Sequence, residues 1–292
     1  MSKGLLITGA TGNQGGAVVD ALVSSPSSTN DFTILAVTRN PTSPAAQRLA
    51  SLSPNIKLVR GDLNDAPSLL TAAKALHSNI WGVFSVQTPM GKGGVNTEEV
   101  QGKALVDAAL AAGVKHFVYT SVDRGGDASF TNPTDVPHFL SKHNIEQHLV
   151  NSTKGTDMRY TILRPVAFME NFTPSFFGKV FGAAWRTTLP ADQGMQLVSV
   201  RDVGHFAAQA FRNPDTWAGK GISLAGDEVT FKQAGEVFRA KAGVPLPETF
   251  GIFGRGLMGG YKADIAGLRR QHPGLLSLGE YLEKHSAWAK KE

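Results

Sequence analysis

Two side chains able to move a proton stand four residues apart in the segment DVPHFLSKHNIE, Asp135 to Glu146. They are His138 and Lys142. On a helix, positions 138, 142, 145 and 149 share one face, so both lie on a stripe with Ile145 and Leu149. A lysine on an inward stripe needs a partner or a ligand; near a helix start it can instead lay its stem on apolar surface and keep its head in water. His138 titrates near neutral pH and is a candidate proton donor, or else a capping or packing residue. Ser121, with Thr120 competing for the same position after the run FVYT, is either a hydroxyl that polarises a carbonyl or a plain strand-end residue.

A second set of candidates would hold phosphates. The run LLIT passes directly into GATGNQGGAVVDALV, which places Gly9, Gly12 and Gly15 three apart at a strand-to-helix turn. Gly9 permits the tight turn, Gly12 lets the backbone approach a pyrophosphate, and Gly15 allows close packing of helix on strand. The helix N-terminus adds unpaired N–H groups and a positive dipole end. At the end of the second run, ILAVTRNP, an NAD site would place a carboxylate for the ribose 2'-hydroxyl. This chain has Thr38, Arg39 and Asn40 there, and an arginine pairs with a 2'-phosphate through charge-assisted hydrogen bonds. The reading is therefore NADP(H) over NAD(H). Gly61-Asp62 and Gln87-Thr88-Pro89 follow the third and fourth runs, at strand ends where open parallel sheets bind ligands. Asp62 either receives the adenine amino group or caps the helix beginning NDAPSLL.

These positions need a scaffold. Short β-branched runs at 5–8, 32–38, 56–60, 81–85, 117–121 and 160–163 alternate with helical patterns, the signature of a parallel sheet covered by helices on both faces. Helix candidates include 14–24, with Val18, Ala21 and Leu22 inward, and 98–112, with Val100, Leu105, Ala108 and Ala109 inward and Gly113 as the stop. After residue 164 the rhythm loosens. Aromatics crowd 168–185, LVSVRDVGHFAAQAF at 197–211 reads as strand then helix, and the glycine-rich GIFGRGLMGG follows Phe250. The expectation is an α/β fold: a Rossmann doubly wound parallel sheet over 1–164 and a smaller, partly interleaved α/β domain over 165–292.

Composition narrows the function classes. With 292 residues, 41% of them hydrophobic and 18% charged, the chain suffices for one large domain or two unequal ones. It has no cysteine, which excludes disulfides, thiolate zinc sites and cysteine nucleophiles and fits a reducing compartment. No metal site is expected. The apolar run in MSKGLLITGATG is too short for a signal-peptide core or a membrane span, so the cytoplasm, with the nucleus as a second compartment, is expected, and no membrane partner. Lys and Arg are scattered despite a net charge of +5, and no helix-turn-helix, zinc or RNA-binding pattern occurs. A basic phosphate pocket accounts for the surplus, and direct nucleic-acid binding is not expected.

Together, GATGNQGG, TRNP, GD, HFLSKHNIE and LRPVAFMENF resemble the NmrA-like branch of the atypical short-chain dehydrogenase/reductase superfamily, over most of the chain. The resemblance implies a Rossmann domain and a small α/β domain with the nicotinamide in the cleft between them. By it, Gly9, Ala10, Thr11, Gly12, Asn13 and Gln14 hold the pyrophosphate, with Gly15 closing the motif. Arg39, Asn40, Pro41, Thr42 and Ser43 take the 2'-phosphate side of the adenosine, and Asp62 with Leu63 takes the adenine end. Gln87, Thr88 and Pro89 fall at the ribose region and Lys142 at the nicotinamide ribose. Phe168, Met169, Glu170 and Asn171 match an aromatic-x-Glu-Asn segment near the nicotinamide. A lysine that some relatives carry before QGK is unmatched, since Val100 precedes Gln101-Gly102-Lys103.

Active short-chain reductases use Tyr-x-x-x-Lys, in which the tyrosine protonates the substrate oxygen while the lysine lowers its pKa and holds the ribose. Here His138 replaces the tyrosine. Isoflavone-reductase-like relatives also lack it and are thought to use a helix lysine resembling Lys142 as the acid–base group. The resemblance thus implies an NADP(H)-dependent oxidoreductase that passes hydride from NADPH to a carbonyl or conjugated alkene, with Lys142 and His138 as the catalytic candidates. Phe168, Phe172, Phe176 and Trp185, near helical spacing, either line a pocket for a small apolar or aromatic substrate or form a core or subunit-contact stripe. The alternative is a redox-sensing regulatory protein that binds NADP(H), turns nothing over, and changes its contacts with a protein partner as the dinucleotide changes. The chain lacks the long C-terminal extension of some transcriptional regulators, which inclines the expectation to the enzyme.

Overall fold

The structure is a computed structural model that describes residues 2–24, 32–88, 94–248 and 260–289. Strand and helix alternate through the first half: β1 (Lys3–Ile7), α1 (Asn13–Val23), β2 (Phe32–Thr38), α2 (Pro44–Ser51), β3 (Ile56–Arg60), α3 (Ala66–Leu76), β4 (Ile80–Ser85), α4 (Gly94–Ala111), β5 (His116–Thr120), α5 (Pro137–Ser152) and β6 (Arg159–Pro165). There follow β7 (Ala167–Phe168), α6 (Phe176–Thr188), β8 (Met195–Val198), α7 (Val200–Arg212), α8 (Pro214–Trp217), β9 (Lys220–Leu224) and β10 (Asp227–Val229). Three helices follow: α9 (Phe231–Lys241), α10 (Ile265–Gln271) and α11 (Leu278–Lys284).

Seven strands form one sheet in the order β3-β2-β1-β4-β5-β6-β9, and every pairing from β1 through β6 is parallel. The order reverses between β1 and β4, which makes their C-terminal ends the switch point of a Rossmann-type sheet. Helices on both faces explain the uninterrupted apolar runs: β2 is buried along its length, as are Leu5, Leu6 and Ile7 of β1.

The chain forms two compact units, each assembled from three segments. One comprises residues 1–121, 130–163 and 203–222, the other residues 122–129, 164–202 and 223–292. The core of the first joins Leu6, Val83, Phe117 and Ile162 of the sheet to Leu105 and Ala109 of α4 and Ile145 and Leu149 of α5. Gly102 lets these two helices close up, for a Cβ there would stand 2.5 Å from Ile145 Cδ1. The inward face of α4 differs from the expected one. Val100 is 67% exposed, because positions 100 and 105 lie about 140° apart on a helix and cannot both face inward. The buried stripe instead runs through Glu98, Gly102, Leu105 and Ala109. Gly113 ends the helix region with φ +78, as expected of a stop.

The second unit holds a mixed sheet, β10-β8-β7, antiparallel between β10 and β8 and parallel between β8 and β7. Its core is aromatic: the Phe172 ring lies 5.0 Å from Phe181, 5.3 Å from Phe238 and 6.1 Å from Trp185. Of the four aromatics read as pocket or core, Phe172 and Trp185 are core, Phe168 is half-buried and Phe176 is 71% exposed. They share no apolar face, since Phe172 lies before α6 and turns inward through a 3-10 turn. The GIFGRGLMGG segment lies outside the described residues, apart from Gly260. Among the described residues no helix is long and apolar enough to cross a membrane.

Candidate functional site

The glycine turn is built by what surrounds it. Beyond β1, the Thr8 hydroxyl donates to the Phe84 carbonyl at 3.0 Å and accepts from the Val86 N–H at 2.9 Å, tying the end of β1 to the end of β4. Gly9 then takes φ +58, a left-handed conformation that favours glycine, and its carbonyl accepts from the Gly12 N–H at 2.9 Å. Gly12 begins α1 with no side-chain cap and no acid in the first turn. Among the described residues, then, no N-cap side chain accepts from the first-turn N–H groups. At Gly15 a Cβ would stand 2.3 Å from the Gly9 oxygen and 2.5 Å from the Thr8 oxygen, so helix and strand meet at a distance only glycine allows. Gln14 behaves differently from its neighbours, because its side-chain oxygen accepts from the Thr120 hydroxyl at 2.7 Å. That bond anchors α1 to the end of β5 and commits the Thr120 proton.

After β2, Arg39 is exposed and makes no side-chain bond among the described residues. The loop that follows it is closed by its own hydrogen bonds. Asn40 Oδ1 accepts from the Thr42 N–H at 3.1 Å and the Thr42 hydroxyl at 2.7 Å, and the Pro41 carbonyl accepts from Gln47 Nε2 at 2.7 Å. Ser43 caps α2 by accepting from the Ala46 N–H at 3.3 Å. After β3, Asp62 accepts from the Asn64 N–H at 2.9 Å and caps the 3-10 turn Leu63–Asp65, while Asp65 caps α3. After β4, Gln87 donates from Nε2 to Ser85 Oγ at 2.9 Å, and its buried Oε1 has no partner among the described residues. Thr88 is exposed, and Pro89 lies outside the described residues.

Lys142 does lie on the inward side of α5, and its partner is a residue that sequence reasoning missed. Its ammonium donates to Glu98 Oε1 at 2.6 Å, and Ser141 Oγ donates to Glu98 Oε2 at 2.5 Å. The Glu98 side chain is 0% exposed and that of Lys142 is 13% exposed. Beside them, Glu99 bridges Lys103 at 2.6 Å and accepts from Asn144 at 2.9 Å, a second clasp between α4 and α5. His138 lies close enough to feel both charges. Burial, and then the Lys142 ammonium, push its pKa below the ordinary histidine value, with Glu98 opposing. Its ring meets Phe139 edge-on at 4.6 Å. The sequence did carry a signal for Glu98: an acid in line with Leu105 and Ala109 faces inward and requires a cation.

The segment Phe168, Met169, Glu170 and Asn171 belongs to the second unit. Met169 is core, and Glu170 accepts from Ser199 Oγ at 2.8 Å and the Val200 N–H at 3.1 Å, which makes it the cap of α7. Burial pushes the Glu170 carboxyl up, against those hydrogen bonds.

The strand order, the switch point and the glycine turn at the end of the first strand define a Rossmann-type α/β protein. More narrowly, the chain belongs to the NmrA-like family, whose model matches residues 1–253. Among curated relatives, the NmrA-like family domain-containing oxidoreductase hkm9 of Aspergillus hancockii is 31% identical over 98% of this chain and 88% of its own. The corresponding oxidoreductase FrzB of a Cladobotryum species is 30% identical over 86% of this chain and 79% of its own. Among solved structures, NmrA, a negative transcriptional regulator, in complex with NADP superposes with a TM-score of 0.71 at 18% identity, over 97% of this chain and 95% of that one. The Citrobacter sp. triphenylmethane reductase complexed with NADP(H) gives 0.70 at 20% identity, over 97% and 99%. At such identities these two structures establish the fold.

Proposed function

We propose that the chain is an NADPH-dependent oxidoreductase acting on a carbonyl or conjugated alkene of a small apolar or aromatic molecule, with Lys142 as its acid–base group. The observation that carries this is the Lys142 ammonium, held at 2.6 Å by a fully buried carboxylate. The curated relatives' names support the redox class, and the NADP complexes of NmrA and triphenylmethane reductase support the cofactor.

Three features fit NADP(H). The first turn of α1 without a side-chain cap suits a pyrophosphate, and, with no partner among the described residues, Arg39 suits a 2'-phosphate and the buried Gln87 Oε1 a hydroxyl donor. In this reading the backbone from Gly9 to Gly15 holds the pyrophosphate; Gln14 contributes only its N–H, its side chain being committed to Thr120. Arg39 selects the phosphorylated ribose, beside the loop of Asn40, Pro41, Thr42 and Ser43. The bound dinucleotide would supply a hydride.

An ammonium has three N–H donors, and Glu98 takes one. Two remain, one for a ribose hydroxyl and one for the substrate oxygen on which negative charge develops. Lys142 gives its proton there. His138 is held toward its neutral form by burial and by Lys142, so it does not serve as an imidazolium donor and instead packs beside the lysine.

A specific observation favours a second reading, in which the chain is a regulator that binds NADP(H) without turnover: the superfamily tyrosine is replaced by His138, and the NADP-bound NmrA neighbour is a transcriptional regulator. NADPH oxidation across a panel of aromatic ketones and enones decides between them. Turnover that disappears in Lys142→Ala supports the oxidoreductase. Micromolar NADP(H) binding with no turnover anywhere in the panel overturns it in favour of the regulator.

A further inference from the structure

Glu98 is the least expected residue of the site. A carboxylate with no exposed side-chain surface receives two short hydrogen bonds from neighbouring residues of α5, one neutral from Ser141 and one charged from Lys142. Such a pair is a poor way to stabilise a fold, because desolvating two charges offsets most of their attraction and apolar residues would serve as well. Nor is it needed to join the helices. Leu105, Ala109, Ile145 and Leu149 already pack together, and Glu99 with Asn144 forms a separate clasp. The arrangement is also lopsided: the carboxylate is wholly buried while the lysine keeps some exposed surface, so the acid stands behind the amine. Lys103, the other cation nearby on α4, is engaged by Glu99.

We infer that Glu98 is a positioning residue: its buried carboxylate, steadied by Ser141, fixes where the Lys142 ammonium sits for the dinucleotide ribose and the substrate oxygen. This rests on the reading of Lys142 as a site residue. Without Glu98 a four-carbon stem samples many rotamers, and each donor bond to a ligand must first restore one of them. Glu98 itself touches no ligand and acts only through Lys142.

The test uses the full chain without ligand, then with NADPH. Reductive methylation at one fixed pH, read peptide by peptide by mass spectrometry, gives the rate at Lys142 relative to the exposed Lys220. In Glu98→Gln, which keeps size and a hydrogen-bond acceptor but loses the charge, the relative rate at Lys142 rises about tenfold, as expected when a nearby opposite charge is removed. NADPH affinity falls about tenfold in the same variant. In a Lys142→Met background, Glu98→Gln leaves NADPH affinity unchanged, because the two residues act as one unit. A folded Glu98→Gln whose labelling and affinity stay within about twofold of wild type overturns the inference, as does an undiminished effect in the Lys142→Met background. Should Glu98→Gln fail to fold, Glu98→Asp keeps the charge and withdraws it by one methylene; faster Lys142 labelling supports the inference and unchanged labelling overturns it. None of these readouts requires turnover. A chain that reduces no substrate refutes the proposed activity and still decides the role of Glu98.

Discussion

Gly12 and Gly15 stand three residues apart in one motif, yet under the proposed NADP(H) reading they do different work, and alanine at each separates packing from binding. At Gly15 the new methyl would lie 2.3 Å from the Gly9 oxygen, 2.4 Å from the Gly9 carbonyl carbon and 2.5 Å from the Thr8 oxygen. All three are backbone atoms of the turn, and ordinary contact begins near 3.4 Å. α1 would have to retreat by about 1 Å. It has nowhere to go: on α7, a Cβ at Gly204 would stand 2.3 Å from the Ala17 oxygen, and Arg212 holds the carbonyls of Ala21 and Leu22 at 3.0 and 3.2 Å. Overpacking of this kind costs about 1–3 kcal/mol, and a site closed on both sides belongs at the upper end. Gly15→Ala should therefore lose about 3 kcal/mol, a fall in Tm of roughly 6–12 °C. At Gly12 the methyl would meet only the Gly9 oxygen, at 3.3 Å, and the backbone has an ordinary φ of −101. Gly12→Ala should stay within about 1 kcal/mol of wild type, yet weaken NADPH about tenfold by placing a methyl where the pyrophosphate approaches. Urea unfolding followed by circular dichroism measures the first effect, and calorimetric titration with NADPH measures the second. Wild-type stability in Gly15→Ala, or wild-type affinity in Gly12→Ala, would refute the division of labour.

Three further outcomes follow from single side chains. His116 is fully buried, stacked 5.9 Å from Trp81, with Nε2 3.1 Å from Thr161 Oγ1; burial, and then the charge of Arg159, lower its pKa from 6.5 to about 4. Because the folded value is the lower one, its contribution is intact above about pH 6.5 and is lost as pH falls toward 4, a difference of about 3 kcal/mol. Unfolding free energies of His116→Phe should show a correspondingly flatter decline over that window, and a slope equal to wild type would count against the buried neutral imidazole. Lys142→Met strands the Glu98 carboxylate with Ser141 as its remaining partner and should cost about 3–5 kcal/mol, most of it recovered by adding Glu98→Gln; denaturant titration of the three variants detects this, and an undiminished stability of the single variant would contradict it. Arg39→Ala should weaken NADPH about ten- to a hundredfold and leave NADH little changed in competition titrations, whereas equal losses would remove the 2'-phosphate role.

The first half of the chain was legible because its signals are local. The run at 32–38 coincides with β2 and that at 56–60 with β3, and the other four fall within a residue or two of their strands. Strands buried on both faces are written as continuous apolar runs, which need no knowledge of their neighbours. Gly9 and Gly15 were legible for the same reason, since the one answers to a turn and the other to an approach within a few residues. Beyond residue 164 one step was equally legible, the strand-then-helix reading of 197–211, which is β8 followed by α7; the rest of the second unit was not. Its sheet uses strands of two, four and three residues, too short to show a period, and its core is an aromatic cluster gathered from a turn, α6 and α9. The aromatic spacing, read as pocket or core, therefore divided: Phe172 and Trp185 entered the core, while Phe168 is half-buried and Phe176 exposed. Glu98 escaped because its meaning lies in a contact 44 residues away. Only the helix phase points to it, and Val100, apolar yet 67% exposed, obscures that phase.

The exchange of tyrosine for His138 alters the proposed chemistry less in driving force than in charge. Phenol and ammonium have similar ordinary acidities, near 10 and 10.4, so either can protonate an oxygen as charge builds on it. A tyrosine that gives up its proton becomes an anion beside a cationic lysine, a pair stabilised by its own attraction. A lysine that gives up its proton becomes neutral, and here it leaves a wholly buried carboxylate without a cation. Burial still disfavours a charged His138, which leaves reprotonation of the lysine as the route that restores the balance in this reaction. Under the proposed reaction the neutral state of Lys142 must therefore be brief, and the proton must return before the next substrate is reduced. Reprotonation of the Lys142–Glu98 pair then joins hydride transfer in limiting turnover, and kcat should be slower in D2O while the response to deuterated NADPH is damped. Full expression of the deuterated-NADPH effect with no effect of D2O would show that the proton comes from elsewhere.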